Sequence, residues 1–255
     1  MPSADNDGVR IHYEVAGRGP PLVLQHGFTQ SIEDWIECGY VEALAPFYRV
    51  VLIDARGHGA SDKPYDPAAY ALQNRVADVT AVLDVLGLSR ASFWGYSMGG
   101  FIGWGMARHA AYRLDALVIG GSQPYARDPE TIRVWLRAAI ADSGDALVTK
   151  IAALAGHVTP SYAARLRAAD LQAWLAAAPS SDTMEDMLSS LTMPCLLYSG
   201  DADPVFAQAH AAAAAIPGAR FSALANLQHL PAFTLSSHVL PVVMPFLATA
   251  MSEQG

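Results

Sequence analysis

Short apolar segments alternate with longer amphipathic segments along most of the chain. Apolar runs of this length predict buried strands, and they lie at 21–25, 49–54, 91–94, 114–119 and 195–199. Two further strands are predicted, one at 9–15 from its apolar–polar alternation and one at 220–224. Helices are predicted at 31–46, 69–87 and 205–215 from apolar positions three and four residues apart. Strands and helices that alternate in this way are typical of an α/β protein with a doubly wound, mostly parallel sheet.

The alternation stops between residues 122 and 190, where only helical patterns are found. We therefore predict a core formed by residues 1–121 and 191–255, with residues 122–190 inserted as a helical cap over one end of the sheet. A closing helix is predicted at 236–250. It contains Pro241 and Pro245, and proline inside a helix costs about 3 kcal/mol or more, so we expect a late start or a kink.

Composition and charge narrow the class of protein. The 255 residues are 52% hydrophobic and 16% charged, which excludes a disordered chain. The net charge of −8 and the absence of a basic stripe argue against nucleic-acid binding. Residues 221–252 carry no charged side chain, but prolines and polar residues interrupt them, so no membrane span is expected. The polar start predicts no signal peptide, and Cys38 and Cys195 are expected to be free thiols in a cytoplasmic protein.

The segment Gly95-Tyr96-Ser97-Met98-Gly99 follows one predicted strand and precedes a predicted helix. A serine on so sharp a strand-to-helix turn has a strained backbone, and its neighbours must be small so that strand and helix can approach. The turn exposes the hydroxyl beside the first N–H groups of the helix. This pattern predicts that Ser97 is a nucleophile.

A serine hydroxyl needs a base to accept its proton and a carboxylate to orient that base. In proteins with this turn, the acid and then the histidine follow the serine along the chain. His229 lies between the last predicted strand and the closing helix, which favours it as the base. The other histidines after Ser97 are His109, His157, His210 and His238.

Two aspartates compete for the role of the acid in the turn from Gly200 to Pro204. Asp203 stands deeper in the loop, directly before the next helix, and is the better placed to reach a histidine. Asp201 is expected to cap the turn, although it stays open as the alternative acid.

Acyl chemistry also needs hydrogen-bond donors for the developing oxyanion. We predict the backbone N–H groups of Met98, directly after the nucleophile, and of Phe28, in the loop after the strand at 21–25. His26 lies in the same loop and is expected to be structural.

Several segments together resemble the α/β-hydrolase superfamily, and most closely its capped esterase, lactonase and C–C hydrolase branch. They are residues 26–28, the Asp-x-Arg-Gly-His-Gly loop at 54–59, residues 95–100, the turn at 200–204 and His229. The resemblance implies that Asp54, Arg56 and His58 are structural. With a serine at position 97, the chain does not resemble epoxide hydrolases or haloalkane dehalogenases, which carry an aspartate as nucleophile at that place. One departure is Gln228, where the family often has glycine.

The expected function is hydrolysis of a small, neutral or apolar carboxylic ester through an acyl-enzyme on Ser97. A lactonase, C–C hydrolase, perhydrolase or acyltransferase would use the same three residues, and a ligand-binding receptor could use the same fold without catalysis. No cofactor is expected and no metal site is visible in the spacing of ligands. The side chains expected to line the substrate pocket are Trp35, Tyr96, Tyr125, Trp135 and Met187.

Overall fold

An eight-stranded sheet runs through the centre of the computed structural model, which describes residues 1–126, 128, 130–142, 144–156, 158–178 and 182–252. The strands are β1 Ser3–Asn6, β2 Val9–Ala16, β3 Pro21–Gln25, β4 Arg49–Ile53, β5 Ala91–Tyr96, β6 Leu114–Gly120, β7 Cys195–Gly200 and β8 Arg220–Leu224. Their order across the sheet is β1-β2-β4-β3-β5-β6-β7-β8. Strands β3 to β8 pair in parallel, while β1 pairs with β2, and β2 with β4, in antiparallel fashion. The predicted mostly parallel sheet is confirmed.

Helices cover both faces of this sheet. They are α1 Ile32–Glu37, α2 Tyr40–Leu44, α3 Leu72–Val85, α4 Met98–His109, α5 Glu130–Ala141, α6 Asp145–Ala155, α7 Pro160–Ala168, α8 Leu171–Ala176, α9 Phe206–Ala215, α10 Pro231–Thr234 and α11 Ser236–Ser252. One buried cluster joins the sheet to α3, α4 and α9, and a second joins its other face to α1, α2, α10 and α11. Two apolar layers on one sheet explain why its central strands are apolar on both sides.

Strand β1 was not predicted from the sequence. Its four residues include Ser3, Asp5 and Asn6, and only Ala4 among them is buried. It forms because the turn at Asp7 and Gly8, both at positive φ, folds it back onto β2. A strand with one buried side chain leaves almost no apolar pattern to detect.

The predicted helix at 31–46 is two short helices, because Gly39 lies between them in the left-handed region with φ of 80°. The predicted helix at 69–87 begins as a 3₁₀ turn at Pro67–Tyr70 and continues as α3. Gly87 follows it with φ of 66°, as predicted for a residue after a helix end.

The closing helix does not start late. It begins at Ser236 with both prolines inside it, and Pro241 and Pro245 are exposed. The prolines lie four residues apart on the solvent face, so the carbonyls that lose a partner can bind water. The apolar side chains of α11 lie on the opposite face against the sheet.

Helices α5 to α8 lie between β6 and β7 in the chain, followed by a 3₁₀ turn at Glu185–Ser190. Their apolar side chains form a third cluster that includes Leu136, Leu166 and Trp174 and also holds Leu230 of the core, with Phe28 packed against it. The helices therefore lie directly over the loops that carry Phe28 and His229.

Within the part of the chain that the structure describes, no helix has the length and apolar character needed to cross a membrane. Cys38 and Cys195 are both free, and burial raises the pKa of the first thiol to about 11 and of the second to about 12.

Candidate active site

Ser97 occupies the turn between β5 and α4 with φ of 54° and ψ of −108°, a conformation that costs a non-glycine residue about 1–3 kcal/mol. Its N–H donates to the carbonyl of Gly120 on β6 at 2.8 Å, and its carbonyl accepts the N–H of Phe101 at 2.9 Å. The surrounding sheet and helix thus hold the strained residue in place.

The glycine on the helix side of the turn is required by close packing. A Cβ on Gly99 would lie 2.0 Å from the carbonyl oxygen of Gln25, at the end of β3. Only a residue without a side chain lets α4 approach the neighbouring strand so closely. The G-x-S-x-G pattern therefore reflects contact between a helix and two strands.

The structure brings Ser97, His229 and Asp203 together from three separate loops. The Nε2 atom of His229 lies 2.9 Å from the Oγ of Ser97, and its Nδ1 atom lies 2.7 Å from the Oδ2 of Asp203. An ionised carboxylate can only accept, so Nδ1–H donates to Asp203 and Nε2 keeps its lone pair for the Ser97 proton. Ser97 is half-buried and the imidazole is 33% exposed, so substrate and water can reach this pair.

Asp203 is fully buried at its side chain and accepts a second hydrogen bond from the N–H of Val205 at 3.0 Å. Burial alone would raise the pKa of Asp203, but the hydrogen bond and charge of His229 and the N–H of Val205 hold this pKa below the usual value of 3.8. Asp201 is exposed and accepts the N–H of Asn226 at 2.8 Å, so its carboxylate caps the neighbouring turn.

The loop after β3 passes beside the serine. A Cβ built on Gly27, the residue before Phe28, would lie 3.4 Å from the Cβ of Ser97. Met98 is the first residue of α4, so its N–H has no acceptor within the helix. The N–H groups of Phe28 and Met98 stay the predicted oxyanion donors.

His58 contacts both the backbone and the ring of Phe28. Its Nε2 atom makes a short hydrogen bond to the Phe28 carbonyl, and its ring lies edge-on to the Phe28 ring. Burial lowers the pKa of His58 well below 6.5, so the imidazole is neutral and donates from only one nitrogen. Nδ1 lies 3.2 Å from the Arg56 carbonyl, and the shorter contact of Nε2 with the Phe28 carbonyl assigns the proton to Nε2.

His26 is fully buried, with Nδ1 2.7 Å from the Gly27 carbonyl and Nε2 3.0 Å from the N–H of Ala55. Nδ1 therefore donates and Nε2 accepts. Both ring nitrogens are used by the backbone, which leaves none for a substrate and agrees with the structural role expected for His26.

Three of the five expected pocket residues do not line the space around Ser97. Trp35 is fully buried among aromatic side chains of the second core cluster, 4.8 Å from the ring of Phe233. Tyr96 is 1% exposed, and its hydroxyl donates to the carbonyl of His229. Met187 lines a cavity of about 530 Å³ beside His109, at the far end of α4. These three residues were expected in the pocket because their side chains are large and apolar, but core residues have the same properties.

The other two expected pocket residues are half-buried. Tyr125 packs against the first core cluster, which contains Met98. Trp135 lies on α5 with its ring 4.7 Å from the ammonium of Lys150.

The sequence analysis missed the side chains through which α7 and α8 contact the site. Tyr162 of α7 shares a 2.6 Å hydrogen bond with the hydroxyl of Thr29, and Trp174 of α8 packs on Phe28 and His58. Leu230 follows His229 and joins the cluster of the inserted helices. Of these residues, only Leu230 could have been assigned to the site from the sequence, because it directly follows the predicted base His229.

Those of the remaining histidines that the structure describes do not contact Ser97. His210 packs against Phe206 and Phe221, and His157 lies outside the described residues. Among the described residues, no group of three or more histidine, cysteine or carboxylate side chains could hold a metal ion.

Known proteins share the fold of this chain. Residues 20–178 match a family model described as the alpha/beta hydrolase fold. The enol-lactonase from Burkholderia xenovorans has a similar structure, with a TM-score of 0.84, 26% identity, and coverage of 97% of this chain and 100% of that one. An esterase from Rhodococcus has a TM-score of 0.83 and 25% identity, over 97% of this chain and 98% of that one. Epoxide hydrolase 4 from Mus musculus is 40% identical over 101 residues, which are 39% of this chain and only 28% of the mouse protein.

Proposed function

Because this chain belongs to the α/β-hydrolase fold family, we propose that it is a hydrolase of carboxylic esters that works through an acyl-enzyme on Ser97. The observation that carries the proposal is the pair of hydrogen bonds from His229, 2.9 Å to Ser97 and 2.7 Å to Asp203. Binding alone would need neither a strained serine nor a histidine with a buried carboxylate behind it.

The reaction follows from these contacts. His229 accepts the proton of Ser97 as Oγ bonds to the ester carbonyl carbon, and the N–H groups of Phe28 and Met98 bind the resulting oxyanion. His229 then gives its proton to the departing alkoxide, and the alcohol leaves an acyl-serine ester. Water repeats the same steps with His229 as base, which releases the acid and restores Ser97. Asp203 stabilises the imidazolium in both halves.

The nucleophile favours a carbonyl substrate over an epoxide, the substrate named for several relatives. Attack of a serine hydroxyl on an epoxide would form an ether, which water and an imidazole cannot hydrolyse. An acyl-serine is an ester and can be hydrolysed by the machinery that formed it. We therefore do not extend epoxide hydrolysis to this chain.

The surroundings support a small, neutral or apolar substrate. Phe28 and Leu230 flank the site and pack against the apolar cluster of α5 to α8. We propose that these helices, within residues 122–190, act as a cap that forms the apolar wall of the pocket. Similarity to an enol-lactonase along 97% of the chain makes cyclic esters the second candidate.

The test is a panel of p-nitrophenyl esters of increasing acyl length and of lactones, run on the wild type, Ser97→Ala and Ser92→Ala. Ser92 is a matched control on the strand that leads to Ser97, since its buried hydroxyl has no hydrogen-bond partner among the described residues. We expect turnover of short esters that Ser97→Ala abolishes and Ser92→Ala retains. Full activity in Ser97→Ala would refute the nucleophile, and no turnover of any ester or lactone by the wild type would favour a receptor.

A further inference from the structure

Arg75 is a buried cation for which the described residues supply no counter-ion. It lies in the first turn of α3 with 4% of its surface exposed, and it forms no ion pair among the described residues. The nearby carboxylate of Asp78 already accepts hydrogen bonds from Nε and Nη2 of Arg56, each at 2.6 Å. Burial lowers the pKa of Arg75 to about 10, which still leaves it charged at neutral pH. Burying an unpaired charge is costly, so the partners that Arg75 does have call for an explanation.

Its first important partner is Met98. Nη1 of Arg75 lies 3.3 Å from the Sδ atom of Met98, while Nε donates to the Tyr70 carbonyl at 2.9 Å. Met98 is the residue directly after Ser97, and its N–H is one of the two proposed oxyanion donors. The arginine thus contacts the side chain of the residue that follows the nucleophile.

Its second important partner belongs to the inserted helices. Nη2 donates at 2.7 Å to the carbonyl of Ala177, directly after the last residue of α8, where helix carbonyls lack partners. The same short helix carries Trp174, whose Nε1 donates to the Gly57 carbonyl at 3.1 Å.

Trp174 connects α8 to Phe28, the other proposed oxyanion donor. Its ring stacks on His58 at 5.2 Å between centroids and contacts the ring of Phe28 at 5.6 Å. His58 in turn donates to the Phe28 carbonyl. Arg75 is therefore connected to Met98 directly and to Phe28 through α8.

We propose that Arg75 is a positioning residue that sets the distance between the two backbone N–H groups of the oxyanion hole, by holding Met98 with one arm of its guanidinium and the end of α8 with the other. This inference rests on the proposed function, because it assumes that these N–H groups bind an oxyanion. Removing one such donor outright costs other hydrolases about 10²- to 10³-fold in kcat, so misplacing a donor should cost about tenfold or more.

The test compares Arg75→Met with Arg113→Met. Arg113 is the control, a buried arginine that donates to the carbonyls of Leu88 and Ser89 and, unlike Arg75, also pairs with Asp84 at 2.8 Å. It lies just before β6, at the sheet end opposite Ser97. For each variant, kcat and KM for a short p-nitrophenyl ester, the inhibition constant of a boronic acid that mimics the tetrahedral intermediate, and Tm are measured. A merely structural arginine would lower Tm alone.

We expect Arg75→Met to lower kcat by about tenfold or more and to weaken the boronic acid by a similar factor, with KM little changed. Arg113→Met should lose Tm but keep kcat. If Arg75→Met does not fold, Arg75→Lys is measured instead. A single ammonium cannot contact both Met98 and Ala177, so we expect kcat and the affinity for the boronic acid to fall together.

The proposal for Arg75 is wrong if a folded Arg75 variant keeps the kcat of the wild type, or if only its KM changes. In that case the activity of the wild type would still support the proposed function. A wild type that turns over no ester and binds no boronate would instead refute the proposed function itself.

Discussion

Gly99→Ala tests whether the approach of α4 to β3 sets the geometry of Ser97. The new Cβ would lie 2.0 Å from the Gln25 carbonyl oxygen and 2.8 Å from that of His26, whereas real Cβ atoms essentially never come closer than 3.0 Å to such atoms. Both oxygens belong to backbone and cannot rotate away. Helix and strand must therefore separate by about 1 Å, a displacement that can cost about 10²-fold in rate when it misplaces a catalytic group.

The stability cost can be bounded. Overpacking of a tight contact costs about 1–3 kcal/mol, and alanine regains up to about 1 kcal/mol over glycine as a helix former. Because both clashes are with backbone oxygens, we take the upper end of the overpacking cost, which leaves a net loss of about 2 kcal/mol and lowers Tm by roughly 4–8 °C for a chain of this size.

The matched control is Gly105→Ala in the same helix. A Cβ there would meet only side-chain atoms away from Ser97, Leu72 Cδ1 at 2.6 Å and Leu72 Cγ and Val76 Cγ2 at 2.9 Å. Calorimetry and ester kinetics should show Gly99→Ala impaired in both stability and kcat, and Gly105→Ala impaired in stability with kcat close to that of the wild type. If both variants behaved like the wild type, the close contact at Gly99 would not control the site.

Three other changes test separate parts of the structure. Asp203→Asn should lower kcat by about 10³- to 10⁴-fold, because an amide cannot hold the correct tautomer of the base, whereas Asp201→Asn should keep full activity; equal losses in steady-state assays would contradict the assignment of the acid. The pKa of Asp203 is lowered by folding, so its carboxylate stabilises the protein above the unfolded pKa of about 3.9 and loses this effect as pH falls through the lower folded value. Urea titrations from about pH 6 down to about pH 3 should show a smaller loss of unfolding free energy in Asp203→Asn than in the wild type, and identical losses would count against the shift. Arg56→Met should lower the free energy of unfolding by about 3–5 kcal/mol in urea titrations, since Asp78 would remain buried without its partner; a loss below about 1 kcal/mol would mean that the pair is not buried in solution.

Local patterns predicted much of this molecule. The strand predicted at 220–224 is β8, and the alternation at 9–15 became β2, extended by one residue. The turn at Ser97 and the loop that carries His229 were found because strand ends and turn residues have a sequence signature. Asp203 was preferred over Asp201 on its depth in the loop, and the structure puts the buried carboxylate of Asp203 against His229.

Contacts between distant segments could not be predicted. Thr29 and Tyr162 are 133 positions apart, and Arg75 and Ala177 are 102 apart. Neither side chain in such a pair changes the local periodicity, so no pattern marks it. The same limit explains why Trp35 and Met187 were expected in the pocket, since residue type cannot tell which face of the sheet a side chain will contact.

The most direct test of the central claim, that Ser97 is an activated nucleophile, is labelling with a fluorophosphonate followed by peptide mass spectrometry. Cleavage after Arg90 and Arg108 yields residues 91–108, in which Ser92 and Ser97 are the only serines, so fragment spectra assign the modified one. We predict one label per chain, on Ser97, and greatly slowed labelling in His229→Ala. A label on Ser92 or elsewhere, or an unlabelled wild-type protein, would contradict the account.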